Sequence, residues 1–343
     1  MPITTIGLDI AKHVFQVHGV DDRGRTVIQR RLRRADVRTY FAQIETCLIG
    51  IEACHSSHYW ARTLAALGHE VRLIPPQYVR PYVRGGKNDA RDAEAICEAV
   101  SRPTMRVVSI KTADQLALQA LHRMRARLIH DRTATANQMR SFLSEEGFVF
   151  PQGLAGFRTR LIALLDAPQP GVTPLLRELA SRFLEQLRAL DEWIDGLNAQ
   201  LRQAFSADET CQRLAEVVGI GPVIATAVVG TVGNARAFKN GRQFAAWIGL
   251  TPRQHSSGER TQLLGITKRG DAYLRMLFVQ GARAVLRTVA RRRDRLGQWL
   301  QQLLTRRHKH VVAIALANKI ARITWAVLAK GIVFQPHLMS APA

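Results

Sequence analysis

Apolar and β-branched positions cluster in short runs at the start of the chain. Residues 3–10 (Ile-Thr-Thr-Ile-Gly-Leu-Asp-Ile) form one, residues 14–20 repeat the pattern, and a third run covers residues 26–32 after the turn Asp21-Asp22-Arg23-Gly24. Runs of this kind, punctuated by an Asp/Gly turn, predict three consecutive strands in a meander. Residues 48–53 read as a buried strand, residues 59–67 as a helix stopped at Gly68, and residues 71–74 as a further strand ended by Pro75-Pro76. Three strands followed by alternating strand and helix predict a mixed α/β sheet rather than a sandwich or a bundle.

From about Thr112 onward the strand pattern disappears. Leu116, Leu121, Met124, Leu128 and Ile129 mark one long amphipathic helix. After the break Ala167-Pro168-Gln169-Pro170-Gly171, a second helix carries Phe183, Leu187, Leu190, Ile194, Leu197 and Leu201, at spacings of 4, 3, 4, 3 and 4. That alternation describes a coiled-coil seam or an ordinary core-facing stripe, and in either case an interaction surface within the chain or between subunits. A further boundary falls near Ser206-Ala207-Asp208. The expected organisation is an α/β domain over residues 1–110, a connector of long helices over 111–205, and a mostly α C-terminal domain over 206–335.

Charge changes this picture most in the last part. The 343 residues carry a net charge of +22, and residues 206–343, with 21 basic against 6 acidic side chains, hold +15 of it. A phosphate backbone attracts such a surface whatever its base sequence, which makes the C-terminal third the first candidate for nucleic-acid contact. With 47% hydrophobic residues the chain can bury a large core and is not of the disordered class. Cys47, Cys54, Cys97 and Cys211 show no CxxC spacing, which argues against a zinc site or a disulfide framework and for reduced, mostly buried thiols. The opening residues lack the basic and apolar regions of an export signal. The apolar stretches at 217–233 and 311–334 are broken by glycine and proline or by Lys319, Arg322 and Lys330. A cytoplasmic protein with no membrane partner is expected.

Two acids interrupt the strand runs. Asp9 closes the first and Glu52 the fourth, each where a core-facing residue is expected, and a lone buried carboxylate is costly. Asp89 and Asp92, three apart at the start of the predicted helix Lys87-Asn88-Asp89-Ala90-Arg91-Asp92-Ala93-Glu94, share one face. Four such carboxylates could hold a pair of divalent ions for phosphodiester displacement, and hard oxygen ligands select Mg²⁺ or Mn²⁺. Helix capping by Asp89, an ion pair for Asp92 and a buried arginine beside Glu52 are the alternative uses.

The segments Gly7-Leu8-Asp9-Ile10-Ala11-Lys12, Ile51-Glu52-Ala53 and Lys87-Asn88-Asp89-Ala90-Arg91-Asp92-Ala93 resemble the RuvC-like, RNase H-fold domain of the insertion sequence 110 family of DEDD transposases. The resemblance implies that Asp9, Glu52, Asp89 and Asp92 are a Mg²⁺-binding tetrad. The stretch Glu52-Ala53-Cys54-His55-Ser56-Ser57-His58-Tyr59-Trp60 departs from the Glu-Ala-Thr-Gly form of that family and is similar to its second subgroup; His55 and His58 are expected to be structural.

Two further motifs lie in the basic third. Val217-Val218-Gly219-Ile220-Gly221-Pro222 is a glycine hairpin between apolar segments, either a helix-hairpin-helix whose Gly219 and Gly221 let backbone N–H groups approach a phosphate or a plain turn between packed helices. Downstream, Gly249-Leu250-Thr251-Pro252-Arg253-Gln254-His255-Ser256-Ser257-Gly258 runs toward Gly265-Ile266-Thr267-Lys268-Arg269-Gly270, a serine-bearing loop with Arg253, Arg260, Lys268 and Arg269 around it. A serine that attacks phosphorus needs exposure and neighbouring cations. Thr-Pro-Arg, then Ser-Gly, then Lys-Arg-Gly is similar to the C-terminal transposase domain of the same family, which implies that Ser257 is its catalytic serine, with Ser256 the adjacent alternative.

The resemblance spans nearly the whole chain. It implies a recombinase that cuts and rejoins DNA through a serine–phosphate intermediate, guided on donor and target DNA by a structured bridge RNA, and assembled as dimers that form a tetramer. The acidic and serine segments lie far apart in sequence, which leaves open a site composed from two subunits. The rival enzyme is a Holliday-junction resolvase or other RuvC-like nuclease using water, for which the Ser257 region is superfluous. The non-enzymatic rival is a basic nucleic-acid-binding protein, for which the four acids are a liability.

Overall fold

Alternating apolar residues build the first five strands. In the computed structural model, which describes residues 2–86, 88–166, 171–257 and 260–334, β1 (Thr5–Ile10), β2 (Val14–Val20) and β3 (Thr26–Arg33) form an antiparallel meander. Both β4 (Leu48–Glu52) and β5 (Glu70–Ile74) run parallel to β1, giving the order β3-β2-β1-β4-β5. Ile6, Leu8, Ile49 and Ile51 point to one face, where Phe41 of α1 (Val37–Phe41) and Trp60 and Leu64 of α2 (Ser57–Ala65) complete a buried cluster.

Glycine shapes the opposite face. There α3 (Pro76–Val79) and α4 (Asp89–Val100) cover the sheet through Ile74, Val79, Ile96 and Val100. A β-carbon on Gly7 would stand 2.0 Å from the carbonyl oxygen of Ala93, and one on Gly50 would stand 2.7 Å from Cβ of Val100. The missing side chains let α4 lie close against the sheet, with its backbone against Gly7 and the Val100 and Ile96 side chains against Gly50. Because side chains alternate along a strand, the residues two further on, Asp9 and Glu52, share that face with α4.

The chain divides into two compact units, residues 1–113 and 114–343; the stretch expected as connector, apart from residues 111–113, and the stretch expected as C-terminal domain both fall in the second. Here α5 (Ala113–Glu145), α6 (Leu154–Asp166) and α7 (Pro174–Ala207) pack through Met139, Leu143, Phe157, Leu161, Leu184 and Leu187. The guanidinium groups of Arg132 and Arg158 both pair with Asp191. Leu187, Ile194 and Leu201 of the expected seam are buried and Phe183, Leu190 and Leu197 partly so. The stripe expected on the first helix needs correction: Leu116, Leu121, Leu128 and Ile129 are only partly buried and Met124 is exposed, whereas His122, Ala136, Met139 and Leu143 are the buried positions. The Pro/Gly break at 167–170 lies outside the described residues.

The rest of this unit comprises α8 (Glu209–Ala215), α9 (Pro222–Val232), α10 (Gly241–Trp247), a hairpin of β6 (Pro252–Ser257) and β7 (Arg260–Ile266), then α11 (Ala272–Arg287), α12 (Arg295–Arg306) and α13 (Lys309–Lys330). The hairpin corrects the expectation that strands end near Thr112. Every residue of β6 is exposed, so no hydrophobic alternation marks it in the sequence. By length and composition α13 could cross a membrane, yet Leu316, Ala317, Ile320 and Ala321 are buried in a cluster with Phe278 of α11 and Phe244 of α10, as in a core helix. The four cysteines are free thiols, and only Cys54 is exposed.

Candidate active site and nucleic-acid surfaces

The parallel ladder sets the first two acids side by side. Its last pair is Leu8 with Ile51, and one step further along each strand brings Asp9 next to Glu52. Asn88 caps α4, its side chain accepting from the N–H of Ala90 at 3.0 Å, so Asp89 is not the cap. That leaves Asp89 exposed and Asp92 half-buried in the first turn, a little before the point where Ala93 meets Gly7.

The electrostatics record the convergence. The carboxyl of Asp9 is pushed up to about 6, first by burial and then by the negative fields of Asp92, Asp89 and Glu52. Glu52 is raised by burial and by Asp92. Among the described residues no arginine or lysine forms an ion pair with any of the four, so the alternatives of an ion pair for Asp92 and a buried arginine beside Glu52 find no support; Lys87 lies outside the described residues. No three His, Cys, Asp or Glu side chains among the described residues stand ready to grip one ion. Hard oxygens and a concentration of like charge are together the donor chemistry that a divalent ion fits.

This gives a stability prediction. An acid whose folded-state pKa lies above its unfolded value destabilises the fold above that range, because the unfolded chain ionises more readily. Asp9→Asn should therefore raise the melting temperature of the metal-free protein at pH 7–8, and the gain should fade as pH falls below about 6 and vanish once the pH is well under the ordinary aspartate value of 3.8, where Asp9 is protonated in both states. Thermal melts in chelator across this range check it.

The two histidines after Glu52 differ. His58 Nδ1 accepts from the N–H of Lys111 at 3.2 Å, and burial together with Lys111 and Arg62 lowers its pKa to about 4, so it is a neutral structural acceptor. His55 is exposed. Between them Ser56 takes a left-handed conformation (φ 69°), uncommon for a non-glycine residue, as the chain turns into α2.

In the second unit, Ser257 is the last residue of β6, on a strand rather than in a loop, and pairs with Arg260 across the hairpin. Gly258, Glu259 and the side chain of Arg260 lie outside the described residues. The hydroxyl of Ser256 accepts from Nε2 of Gln254 at 2.8 Å, whereas Ser257 makes no hydrogen bond with a described side chain. Arg253 is exposed at the start of β6. Lys268 and Arg269 are exposed just past the base of the hairpin, whose strands, at about 3.4 Å per residue, place them more than roughly 17 Å from its tip; they do not ring the serine as expected. Their anchoring is tight: the N–H of Lys268 donates to the carbonyl of Gly249, and Nη1 of Arg275 donates to the carbonyls of Ile248 and Arg269. Gly270 has φ +81°, and a β-carbon there would meet the Trp247 carbonyl at 1.7 Å.

The glycine turn joins α8 to α9. Gly219 has φ +93°, and its carbonyl faces Gly281 of α11, where an added β-carbon would come within 2.2 Å of it. Gly221 precedes Pro222 as the cap residue of α9, with no side chain satisfying the first N–H groups. What went unread in the sequence is the pairing of Gly7 with Asp9 and of Gly50 with Glu52: a small residue two before an acid, on two adjacent parallel strands, is the signal of a helix crossing there.

Comparison with known proteins follows the same division. A transposase profile of the IS110 DEDD type matches residues 6–147, which include all four acids, and the profile described as "Transposase IS116/IS110/IS902 family" matches residues 211–296, which include the glycine turn and Ser257. The chain is 50% identical to a "Probable family 20 transposase" of Pseudomonas aeruginosa, over 98% of this chain and 100% of that protein. It is 41% identical to the "Transposase for insertion sequence element IS1328" of Yersinia enterocolitica (97% and 98%) and 40% identical to that for IS1111A of Coxiella burnetii (96% and 90%). The five-stranded mixed sheet, the helical region after it and these matches define an insertion-sequence transposase. Within that class the chain belongs to the IS110/IS116/IS902 family.

Proposed function

We propose that this transposase cuts and rejoins DNA strands through a covalent bond to Ser257, with Asp9, Glu52, Asp89 and Asp92 holding Mg²⁺ or Mn²⁺ at the scissile phosphate. The observation that carries the metal assignment is the convergence of three acidic fields on Asp9. A divalent ion there supplies Lewis-acid stabilisation of charge on the phosphoryl oxygens. The sheet order and the two strand-end acids support an RNase H-like, RuvC-type catalytic domain over residues 1–110, joined through helices over 111–205 to a transposase domain over 206–335.

The chemistry assigned to Ser257 balances simply. Its Oγ attacks phosphorus, an Oγ–P bond forms as one P–O ester bond breaks, the serine proton leaves, and the departing strand oxygen takes up a proton. A hydroxyl of the strand to be joined then attacks the phosphoserine, which restores Ser257. Exposure at the hairpin end gives the phosphate access. Arg253, Arg260, Lys268 and Arg269 meet the phosphate backbone, and the turn at Gly219 and Gly221 acts as a helix-hairpin-helix offering the uncapped start of α9. The partners are donor and target DNA, a structured bridge RNA, and further copies of the chain in a dimer or tetramer, at work in the bacterial cytoplasm.

A recombination assay on DNA carrying the ends of the element, with its adjoining non-coding RNA and Mg²⁺, tests this reading: joined product is expected only when all are present. For the basic residues, replacing Arg253, Lys268 and Arg269 together by Gln should flatten the dependence of log affinity on log salt by about 0.9 for each phosphate no longer neutralised. An unchanged slope would place those residues off the nucleic acid.

A further inference from the structure

A second site lies in the first unit, on the same sheet face as the acids but at the other end of α4. A cavity of about 590 Å³ opens between the start of β1, the β2–β3 turn and the later turns of α4. That volume is within the range of roughly 300–1,000 Å³ of small-molecule sites. His18 stands directly across the ladder from Gly7, beside the helix crossing, and is only 5% exposed in consequence. Its Nδ1 faces the side-chain amide of Gln29, a hydrogen-bond donor, at 3.4 Å, which leaves Nε2–H without a described partner at the cavity wall.

The remaining walls sort into used and unused groups. Asp21 is saturated by the N–H groups of Arg23 and Arg25 and by the Arg25 side chain, and Glu98 carries Arg102. Asp22, Glu94 and Arg84 line the cavity without an ion pair to any described residue, and the charge of Glu94 acts on His18. Among the described residues the charged and donor groups left over are thus two carboxylates, Glu94 on α4 and Asp22 in the β2–β3 turn, one imidazole N–H donor and one guanidinium, around a space of nucleotide size; Glu94, on the helix beside His18, is the one placed to meet a ligand together with it.

We propose that this cavity binds a single guanine nucleotide, with Glu94 reading the base edge, His18 donating to a base acceptor and Arg84 meeting the phosphate. A carboxylate offers two acceptors and no donor. Guanine alone among the bases sets two N–H donors side by side on its pairing edge; adenine and cytosine place a donor beside an acceptor, and uracil and thymine a donor between two acceptors. Unpaired bases in pockets of protein are commonly read in this way, through their edges. The site goes beyond the strand-transfer reading and uses none of its residues. The nucleotide can be free or an unpaired residue of a single strand.

The test is equilibrium binding of the four nucleoside monophosphates, and of short adenine strands with and without one central guanine, to the full-length protein. GMP is expected to bind about tenfold tighter than the other three, the discrimination typical of one bidentate contact to a base. Glu94→Gln should remove that preference while leaving the melting temperature unchanged, since Glu94 is exposed on a helix that glutamine suits. Arg84→Gln should weaken all four monophosphates alike. A guanine-bearing strand that outbinds GMP identifies the single strand as the source; equal affinity identifies the free nucleotide. Asp9→Asn and Ser257→Ala should bind GMP as the native protein does, which separates this site from the catalytic reading. Equal binding of all four bases, or a guanine preference that survives Glu94→Gln, overturns the proposal.

Discussion

Asp9→Asn is expected to abolish DNA strand cleavage while leaving DNA affinity within about twofold. Asparagine keeps the shape of the side chain and removes the charge on which the fields of Asp92, Asp89 and Glu52 converge. Lewis-acid stabilisation of a phosphoryl transition state is worth several kcal/mol, so cleavage should fall by at least about 10³-fold. Binding survives because its electrostatic part rests on residues 206–343, which hold most of the net charge. Cleavage rates and filter-binding affinities measured on the same preparation check both halves. Together with the stabilisation expected of the metal-free variant, the pattern is a site whose repulsion is retained for function: the substitution that quiets the chemistry makes the fold more stable.

Ser257→Ala is expected to remove the recombinant product altogether. Loss of the attacking oxygen deletes a covalent step rather than weakening a binding interaction, and removing a catalytic serine elsewhere costs on the order of 10⁶ in turnover. Ser256→Ala should cost far less, since its hydroxyl is held by Gln254 and faces the other side of the strand. A nuclease that uses water would still cut after Ser257→Ala, so retained cleavage in that variant would favour the resolvase-type reading over strand transfer.

Much of the first unit was legible because the central strands carry large apolar side chains on one face and glycine or an acid on the other. Ile6 and Leu8, or Ile49 and Ile51, print the period of the sheet directly into the sequence, and Asp9 and Glu52 stand out against it. The crossing of α4 was not legible, since it depends on Gly7 and Gly50 leaving space for Ala93 and Val100, residues far away along the chain. The β6–β7 hairpin escaped for the opposite reason: with both faces of β6 in solvent, Pro252 to Ser257 carries no hydrophobic period at all. On α5 a polar residue takes the place where an apolar one is expected. His122 occupies a buried position because Thr226 and Tyr273 satisfy both ring nitrogens at 3.0 Å, while the leucines beside it remain half in solvent. Tertiary partners of this kind decide burial, and a local pattern does not contain them.

The most direct test of the central assignment is to trap the reaction with Mg²⁺, denature it, digest the protein and sequence whichever peptide retains a nucleotide. Attachment through Ser257 is the predicted result, together with loss of every adduct in Ser257→Ala. Strand cleavage with no protein-linked DNA, or a nucleotide carried on Ser256 or any other residue, would contradict it.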